Sequence, residues 1–371
     1  MKRLKVWLLL VLSIMVFVGC SKNNNQVNKD EMNREVTLVP EPTQEVEQTE
    51  GNNKEGSVES DNENKEENTD ISKMDINIGA LKGPTSMGMI KVMEDAANKE
   101  TANNYSFKIA GAADELSAGL AKGEIDIAAV PCNLASVLYN NTKGKIKIAG
   151  INTLCVLYIV EAGETINSVE DLKGKTIYST GKGTTPQFTL NYLLTANGLN
   201  PDKDVYVEYK SEATEVAVAL SEAENAIAML PQPFVTTVMM NNDKIRIALD
   251  VTKEWEAVSS DGSSVVTGVV VVRSDFLEEN KEAVDAFLAE YSASTDYVNA
   301  NVEEAAALIE KFEIFKAAVA QKAIPYCNIT FIQGNEMKEK VSGYLTALYN
   351  QNPKSVGGAL PADDFYYITE N

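Results

Sequence analysis

The stretches GEIDIAAVP (123–131) and AENAIAMLP (223–231) coincide when this 371-residue sequence is shifted by 100 residues. With that single shift, residues 74–141 lie over residues 174–241 without a gap, and 12 of the 68 positions are identical. The identities cluster where a predicted strand ends and a predicted helix begins. An unbroken repeat of this length predicts two similar structural units.

Strand and helix signals alternate from Met74 onward. The predicted strands cover Asp75–Ala80, Tyr105–Ala110 and Asp126–Val130, and the predicted helices cover Thr85–Asn98 and Ala113–Lys122. Short strands and helices in alternation are typical of an α/β fold with mainly parallel sheets. Together with the repeat, they predict two similar α/β lobes.

The C-terminal part has a different pattern. VVTGVVVVR (265–273) predicts a strand, and helices are predicted over Phe276–Asn299, Glu303–Phe312, Ile314–Lys322 and Asn335–Tyr349. Asn301 and Glu304 have the spacing of a capping box. Because no further glycine–threonine turns occur here, we expect this part to pack onto the first lobe. The chain then passes between the lobes twice, near 159–164 and 263–268, and two connections form a hinge.

The predicted organisation has five segments. They are a signal peptide (1–20), an acidic tether (21–73), the first part of lobe 1 (74–160), lobe 2 (161–264) and the helical second part of lobe 1 (265–371). The tether contains 14 acidic and 6 basic residues. Such a segment buries too little apolar surface to fold. An interaction tail is the alternative interpretation.

The N-terminus, MKRLKVWLLLVLSIMVFVGC (1–20), is a targeting signal. A basic start is followed by an apolar run from Val6 to Val18, which is short for a membrane-spanning helix. Phe17-Val18-Gly19-Cys20 resembles a bacterial lipobox, with Phe17 in place of the usual leucine. This resemblance implies a lipid on Cys20 that holds the protein to a membrane. A transmembrane anchor and a simple secretory signal are the alternatives.

Composition excludes several classes of function. The chain has 33 Lys and Arg against 54 Asp and Glu, a formal charge of −21, which argues against nucleic-acid binding. It has no histidine, so mechanisms that need an imidazole base or metal ligand are excluded. Its 4 cysteines form no CxxC motif, so neither a zinc site nor a disulfide framework is predicted. We expect no cofactor, no metal and no catalytic residue.

Four predicted strand-to-helix turns share the same chemistry. Ligands of α/β sheets bind beyond the carboxyl ends of the strands, and free N–H groups at helix N-termini attract anions. Two threonines are added: Thr153, which follows the predicted strand ending at Gly150, and Thr267, at the proposed second crossing. The candidate ligand-binding residues are Lys82, Gly83, Pro84, Thr85, Ser86, Pro131, Asn133, Thr153, Ser179, Thr180, Lys182, Gly183, Thr184, Thr185, Gln232 and Thr267.

Each candidate also has a purely structural interpretation. Gly-Pro-Thr before a helix is ordinary capping, and the lysines can be exposed without touching a ligand. The loop 179–185 is the strongest candidate because glycine, threonine and serine are concentrated there. It lacks the GxxxxGK[ST] pattern of a nucleoside-triphosphate site. Cys132 has no basic partner in sequence, so we expect a packed side chain there.

Residues 74–371 resemble the nitrate/sulfonate/taurine-type substrate-binding proteins of ABC transporters. The resemblance rests on GPTSMG (83–88), GEIDIAAVP (123–131), DLKGKTIYSTGKGTTPQ (171–187) and MLPQPF (229–234). It implies a type 2 periplasmic-binding-protein fold, in which a solute is captured between closing lobes. It also implies that the turns at 83–86, 131–133, 179–186 and 231–233 contact the solute.

The resemblance implies partners as well. They are a small solute, an ABC permease in the membrane and, through Cys20, the lipid bilayer on the extracytoplasmic face of a bacterial cell; we expect a monomer. The solute is left open among sulfonates, nitrate and small pyrimidines. A sensor that presents its ligand to a receptor is an alternative function. A small-metabolite enzyme on the same fold and a structural surface protein are weaker alternatives.

Overall fold

The computed structural model describes residues 73–222, 224–259 and 263–368. The predicted signal peptide, Cys20 and the tether up to residue 72 lie outside the described residues. The strands are β1 (Asp75–Leu81), β2 (Asn104–Ala110), β3 (Ile127–Pro131), β4 (Ile146–Leu154), β5 (Leu157–Ala162), β6 (Thr176–Ser179), β7 (Tyr206–Tyr209), β8 (Ile227–Pro231), β9 (Ile245–Asp250), β10 (Val266–Arg273) and β11 (Ile329–Ile332).

Helices connect these strands. They are α1 (Pro84–Met87), α2 (Ile90–Ala97), α3 (Ala113–Lys122), α4 (Cys132–Thr142), α5 (Thr185–Ala196), α6 (Ala213–Glu222), α7 (Phe234–Asn241), α8 (Val251–Val258), α9 (Ser274–Glu279), α10 (Lys281–Ala300), α11 (Val302–Lys311), α12 (Ala317–Ala323) and α13 (Gly334–Gln351). Short 3₁₀ turns lie at Val169–Leu172, Ile324–Tyr326, Pro353–Val356 and Asp363–Phe365.

The strands form two sheets. The first sheet has six strands in the order β11-β4-β10-β3-β1-β2, and the second has five in the order β7-β6-β8-β5-β9. Strands β1–β3 and β6–β8 pair in parallel, whereas β4, β5, β9, β10 and β11 add antiparallel neighbours. The α/β architecture of two similar sheets is as predicted. The sheets are mixed, because strands that cross from one sheet to the other enter antiparallel to the parallel core.

The internal repeat is confirmed in the secondary structure. Helices α3 and α6 begin at Ala113 and Ala213, and strands β3 and β8 cover Ile127–Pro131 and Ile227–Pro231. These elements are therefore displaced by the same 100 residues as the sequence match. Two copies of one β-α-β-α-β pattern form the parallel parts of the two sheets.

The chain crosses to the second sheet earlier than predicted. Strand β4 ends at Leu154 in the first sheet and β5 begins at Leu157 in the second. The crossing is therefore at Cys155 and Val156, and not at 159–164. The run from 146 to 162 is almost continuously apolar, so no sequence signal marks the change of sheet. The chain returns between Val258 and Val266, close to the predicted 263–268.

The helix predicted over Thr85–Asn98 is two helices, α1 and α2. The hydroxyl of Ser294 on α10 separates them: it donates to the Gly88 carbonyl at 2.7 Å and accepts from the Lys91 N–H at 3.1 Å. A side chain from a distant helix thus satisfies backbone groups that a continuous helix would pair internally. The single helix predicted over Phe276–Asn299 is likewise divided, at Asn280, into α9 and α10.

Two details of the C-terminal part differ from the prediction. The Asn301 side chain forms no cap at the start of α11; instead, its amide nitrogen donates to the Tyr297 carbonyl at 3.0 Å, so the predicted capping box is wrong. A short strand, β11, lies between α12 and α13 and pairs with β4 at Thr153 and Ile151. With only four residues, β11 carries too little periodicity to be found from sequence.

Apolar packing joins the two sheets on one face. Helix α13, although it follows the first sheet's last strand, packs against α5 of the second. Trp255 on α8 is fully buried between Tyr192, at 3.9 Å between ring centres, and Tyr344 of α13, at 5.6 Å. Its indole N–H donates to the Ser263 carbonyl at 2.9 Å. This aromatic cluster ties the C-terminal helix to the second sheet.

Candidate functional site

The ends of the strands place the four predicted turns on facing edges of the two sheets. In the first sheet, Gly268 is opposite both Pro131 and Thr153, so β3, β4 and β10 share the edge from which the chain crosses. In the second sheet, Leu157 is opposite Pro231 at the corresponding edge. The turns after β1, β3, β6 and β8 therefore meet where the chain passes between the sheets.

The turn after β1 is buried and internally bonded. Gly83 has φ of +149° and ψ of −157°, a conformation that favours glycine, and it opens the four-residue helix α1. The Gly83 N–H donates to Ser86 Oγ at 3.2 Å, and the Ser86 hydroxyl donates to the Gly83 carbonyl at 3.0 Å. The Thr85 hydroxyl donates to the Leu81 carbonyl at 2.8 Å. Pro84 is also buried. These bonds fix the turn's shape.

A hydrogen bond joins two of the turns across the sheets. The hydroxyl of Thr185, at the start of α5, donates to Asn133 Oδ1, near the start of α4, at 3.2 Å. Both side chains are buried. Asn133 Nδ2 in turn donates to the Ser355 carbonyl at 3.1 Å. The structure thus brings together one predicted residue from each half of the repeat.

The loop 179–185 is held mainly by its own bonds. The Thr184 hydroxyl donates to the Gly181 carbonyl at 2.9 Å, and the Gly183 N–H donates to Gln187 Oε1 at 2.7 Å. The buried Ser179 hydroxyl donates to the Thr180 carbonyl at 3.2 Å. Gly183 has a positive φ of +80° with open space around it. Gly183 and Lys182 are exposed, so they lie at the rim of this edge.

The turn after β8 places Gln232 between the sheets. Its backbone N–H donates to the Val156 carbonyl in the crossing segment at 3.0 Å. Its Oε1 accepts from the Thr236 hydroxyl at 2.8 Å, and only 2% of its surface is exposed. Gln232 also lies at the floor of a cavity of about 750 Å³, whose other walls are Met239 and Met240 of α7 and Pro325 and Tyr326 beyond α12.

Aromatic rings meet across the sheets beside this turn. Phe234 at the start of α7 and Phe315 before α12 pack edge to face, with ring centres 5.4 Å apart. The Lys82 ammonium lies 6.0 Å from the centre of the Phe315 ring. Lys82 is exposed apart from this contact, and Lys182 is exposed as well.

The crossing strands carry polar atoms without partners. Thr153 Oγ1 on β4 and Thr267 Oγ1 on β10 are buried and have no hydrogen-bond partner among the residues that the structure describes. The same holds for Asn152 Oδ1, a residue that the sequence reasoning missed. A Cβ on Gly268 would lie 2.5 Å from Asn152 Oδ1 and 2.9 Å from Thr85 Cγ2. The Asn152 side chain therefore lies close to Thr85, in the turn after β1.

Cys132, at the start of α4, is fully buried. Burial raises the pKa of the Cys132 thiol well above its usual range, so this cysteine stays protonated. This agrees with its prediction as a packed side chain. Residues 73–222, 224–259 and 263–368 contain no group of carboxylates and cysteines placed to hold a metal ion. The edges are lined chiefly by hydroxyls, amides and backbone groups, which can form hydrogen bonds with a solute.

Comparison with known proteins identifies the family. Residues 90–323 match the family described as ABC transporter, phosphonate, periplasmic substrate-binding protein. The chain belongs to this family. No curated protein matches the sequence at a significant level. The match covers most of both sheets and three of the four turns, lacking only the one after β1.

Solved structures share the fold of this binding protein. An ABC transporter protein from Parabacteroides distasonis is 25% identical with a TM-score of 0.67, covering 80% of this chain and 100% of that one. The periplasmic aliphatic sulphonate binding protein SsuA from Escherichia coli is 18% identical with a TM-score of 0.65, over 81% and 95% of the two chains. The alkanesulfonate-binding protein SsuA from Xanthomonas axonopodis, bound to MOPS, is 14% identical with a TM-score of 0.61, over 78% and 96%.

These findings confirm the predicted periplasmic-binding-protein fold and the predicted role. The protein is a solute-binding component of an ABC importer, and its partners are a small-molecule solute and a membrane permease. A member of this family works on the extracytoplasmic side of the membrane. Within the described ranges, no helix combines the length and apolar character needed to cross a bilayer. The family and the similar structures are binding proteins.

Proposed function

We propose that the solute is held between the facing edges of the two sheets, which act as two closing lobes. The observation that carries this proposal is the buried Thr185–Asn133 hydrogen bond, because it links the turn after β6 of one sheet to the turn after β3 of the other. The lobe boundaries then fall at Cys155–Val156 and in the segment before Val266. A solute stabilises the closed arrangement to the extent that it binds this arrangement better than the open one.

The proposed solute is a small organic molecule that carries a phosphonate or sulfonate group. The family description supports a phosphonate, and the names of several similar structures support a sulfonate. The hydroxyls and the glycine-rich backbone of the turns suit an oxyanion. The Phe234–Phe315 pair supports the alternative of a flat ring such as a small pyrimidine, which would pack against one of these aromatic rings.

We propose that the protein is a lipid-anchored monomer without enzymatic activity. The sequence around Cys20 supports the anchor, and the unreactive side chains at the sheet edges support binding without turnover. Replacing Cys20 by Ala tests the anchor: we expect the protein to move from the membrane fraction to the medium or periplasm. Retention of the C20A protein in membranes would support a spanning signal segment instead.

A thermal-shift panel tests the solute class. The panel contains alkylphosphonates, alkanesulfonates, nitrate and aminopyrimidines. A ligand at 100 times its Kd stabilises a protein by about 2.7 kcal/mol, which is a readily visible shift in Tm. A shift with phosphonates or sulfonates and recovery of the unchanged compound supports the proposal. A shift with aminopyrimidines alone favours the ring alternative, and conversion of the compound would indicate an enzyme.

A further inference from the structure

Asn152 has a fixed amide orientation. Its Nδ2 donates to the Tyr291 hydroxyl at 2.9 Å, and that hydroxyl donates to the Thr85 carbonyl at 2.9 Å. A tyrosine hydroxyl has one hydrogen to donate, so it accepts from Asn152 and cannot donate to it. The atom that faces Gly268 and Thr85 is therefore the carbonyl oxygen, Oδ1, and not the amide nitrogen.

This oxygen is an acceptor that the protein leaves unused. Asn152 is only 1% exposed, and its Oδ1 has no hydrogen-bond partner among the described residues. An unpaired buried acceptor is costly, because burial removes its bonds to water. Tyr291 and Thr85 nevertheless hold it in place at the edge where the four turns meet. Thr153 Oγ1, on the residue opposite Gly268 in the ladder, and Thr267 Oγ1, on the residue before Gly268, also have no partner among the described residues.

From this arrangement we propose that Asn152 determines specificity by accepting a hydrogen bond from the solute. The inference rests on the proposed function, since it assigns a role within the same site. An amide oxygen accepts but does not donate, so it selects an N–H or O–H group and rejects a methyl group or a fully ionised oxyanion. The hydroxyls of Thr153 and Thr267 can adapt to either partner and add affinity without this selection.

The hydrogen-bond donor on the solute can be one of two chemical groups, and binding experiments distinguish them. It is either an amino or hydroxyl group distant from the oxyanion, or the P–OH group of a singly ionised phosphonate. Taurine against ethanesulfonate isolates the first source. Propylphosphonate against propanesulfonate, at a pH below and a pH above the second phosphonate pKa, isolates the second. Titration calorimetry on the full chain gives each Kd.

We expect the donor-bearing probe of at least one pair to bind about tenfold more tightly or better. In Asn152→Leu the ratio of the two Kd values in that pair falls to about one, because leucine has the size of asparagine but accepts no hydrogen bond. Thr295→Val is the matched control: it removes a buried hydroxyl on α10 that also lacks a partner in the described part of the chain, and it leaves the ratio unchanged. If Asn152→Leu does not fold, Asn152→Asp replaces it. That variant keeps the acceptor, strengthens binding of taurine's ammonium and weakens binding of phosphonates.

The outcomes distinguish this inference from the proposed function. Binding of the probes without donor preference overturns the role of Asn152 and leaves the oxyanion-binding site intact. A donor preference that persists in Asn152→Leu and is not altered in Asn152→Asp also overturns it. Failure of all four probes to bind overturns the proposed solute class, and the inference with it.

Discussion

Thr185 of α5 donates its hydroxyl hydrogen to Asn133 of α4 over 3.2 Å, and both residues are buried. Thr185 stands at the turn after β6 of the second sheet, and Asn133 stands at the turn after β3 of the first. Their bond therefore exists only while the two edges are together. Asn133 is itself held by the Ser355 carbonyl, so the acceptor is oriented from the first sheet's side.

Thr185→Val tests this contact. Valine keeps the shape of threonine but leaves Asn133 Oδ1 buried without a donor, which costs about 1 to 3 kcal/mol. Since the cost falls on the closed arrangement, we expect solute affinity to fall about 5- to 150-fold. Titration calorimetry measures the change. Thr237→Val is the control, because the Thr237 hydroxyl donates only to the Pro233 carbonyl within its own turn. Equal affinities for both variants would contradict the proposed closure.

Gly268→Ala tests the packing beneath the site. The added methyl would lie 2.5 Å from Asn152 Oδ1 and 2.9 Å from Thr85 Cγ2, which is closer than real Cβ atoms approach other atoms. We expect solute affinity to fall at least tenfold and stability by about 1 to 3 kcal/mol. The matched control is Gly343→Ala in α13, where the nearest atom would be 3.6 Å away and alanine favours the helix by up to about 1 kcal/mol. If Gly268→Ala binds the solute as tightly as the unaltered protein does, β10 is not part of the solute-binding site.

The sequence predicts the repeated elements well and the connections poorly. Helix α3 is predicted to the residue, because Gly123 follows Lys122 in the left-handed conformation and stops the helix. The crossing at 155–156 is missed, because one apolar run serves β4 and β5 of different sheets. Local periodicity records burial but not the sheet in which a strand is buried.

Asn152 shows a second limit of sequence reasoning. Its neighbour Thr153 could be proposed from position alone, at the end of a strand. Asn152 acquires its role through Tyr291, which is 139 residues away along the chain. The only local signal is an amide within a mainly apolar strand, and the sequence does not show which of the amide's atoms lacks a hydrogen-bond partner.

Trp255→Ala tests whether the aromatic cluster joins α13 to the second sheet. The indole is fully buried against Tyr192 and Tyr344, so its removal leaves a large cavity. We expect a loss of about 3 to 5 kcal/mol in the free energy of unfolding, measured by denaturant titration. Tyr206→Ala serves as the control, because 62% of that side chain is exposed and it should change stability by less than about 0.5 kcal/mol. If Trp255→Ala and Tyr206→Ala lose the same free energy of unfolding, Trp255 does not contribute to the cooperative core.

Glu161 on β5 gives the protein an acid-sensitive stability. Burial alone would raise the pKa of its carboxyl, but hydrogen bonds from the Thr165 hydroxyl and N–H and from the Ile166 N–H, together with Arg246, lower it overall. The Arg246 guanidinium lies 2.9 Å from the carboxylate, which is fully buried. The native state therefore binds this proton less readily than the unfolded chain does, and the group stabilises the fold at neutral pH.

This stability is present above the unfolded pKa of about 4.5 and is lost as the pH falls through the lower native value. Glu161→Gln should therefore cost about 3 kcal/mol at pH 7, and the difference from the unaltered protein should shrink below pH 4.5. Denaturant titrations at several pH values measure it. Glu310→Gln is the control: Lys316 and the Ala317 N–H lower the pKa of that exposed carboxyl, but solvent screens the interaction, so the effect is much smaller. A Glu161→Gln penalty that does not change between pH 7 and pH 3 would mean that packing, and not charge, accounts for the role of this residue.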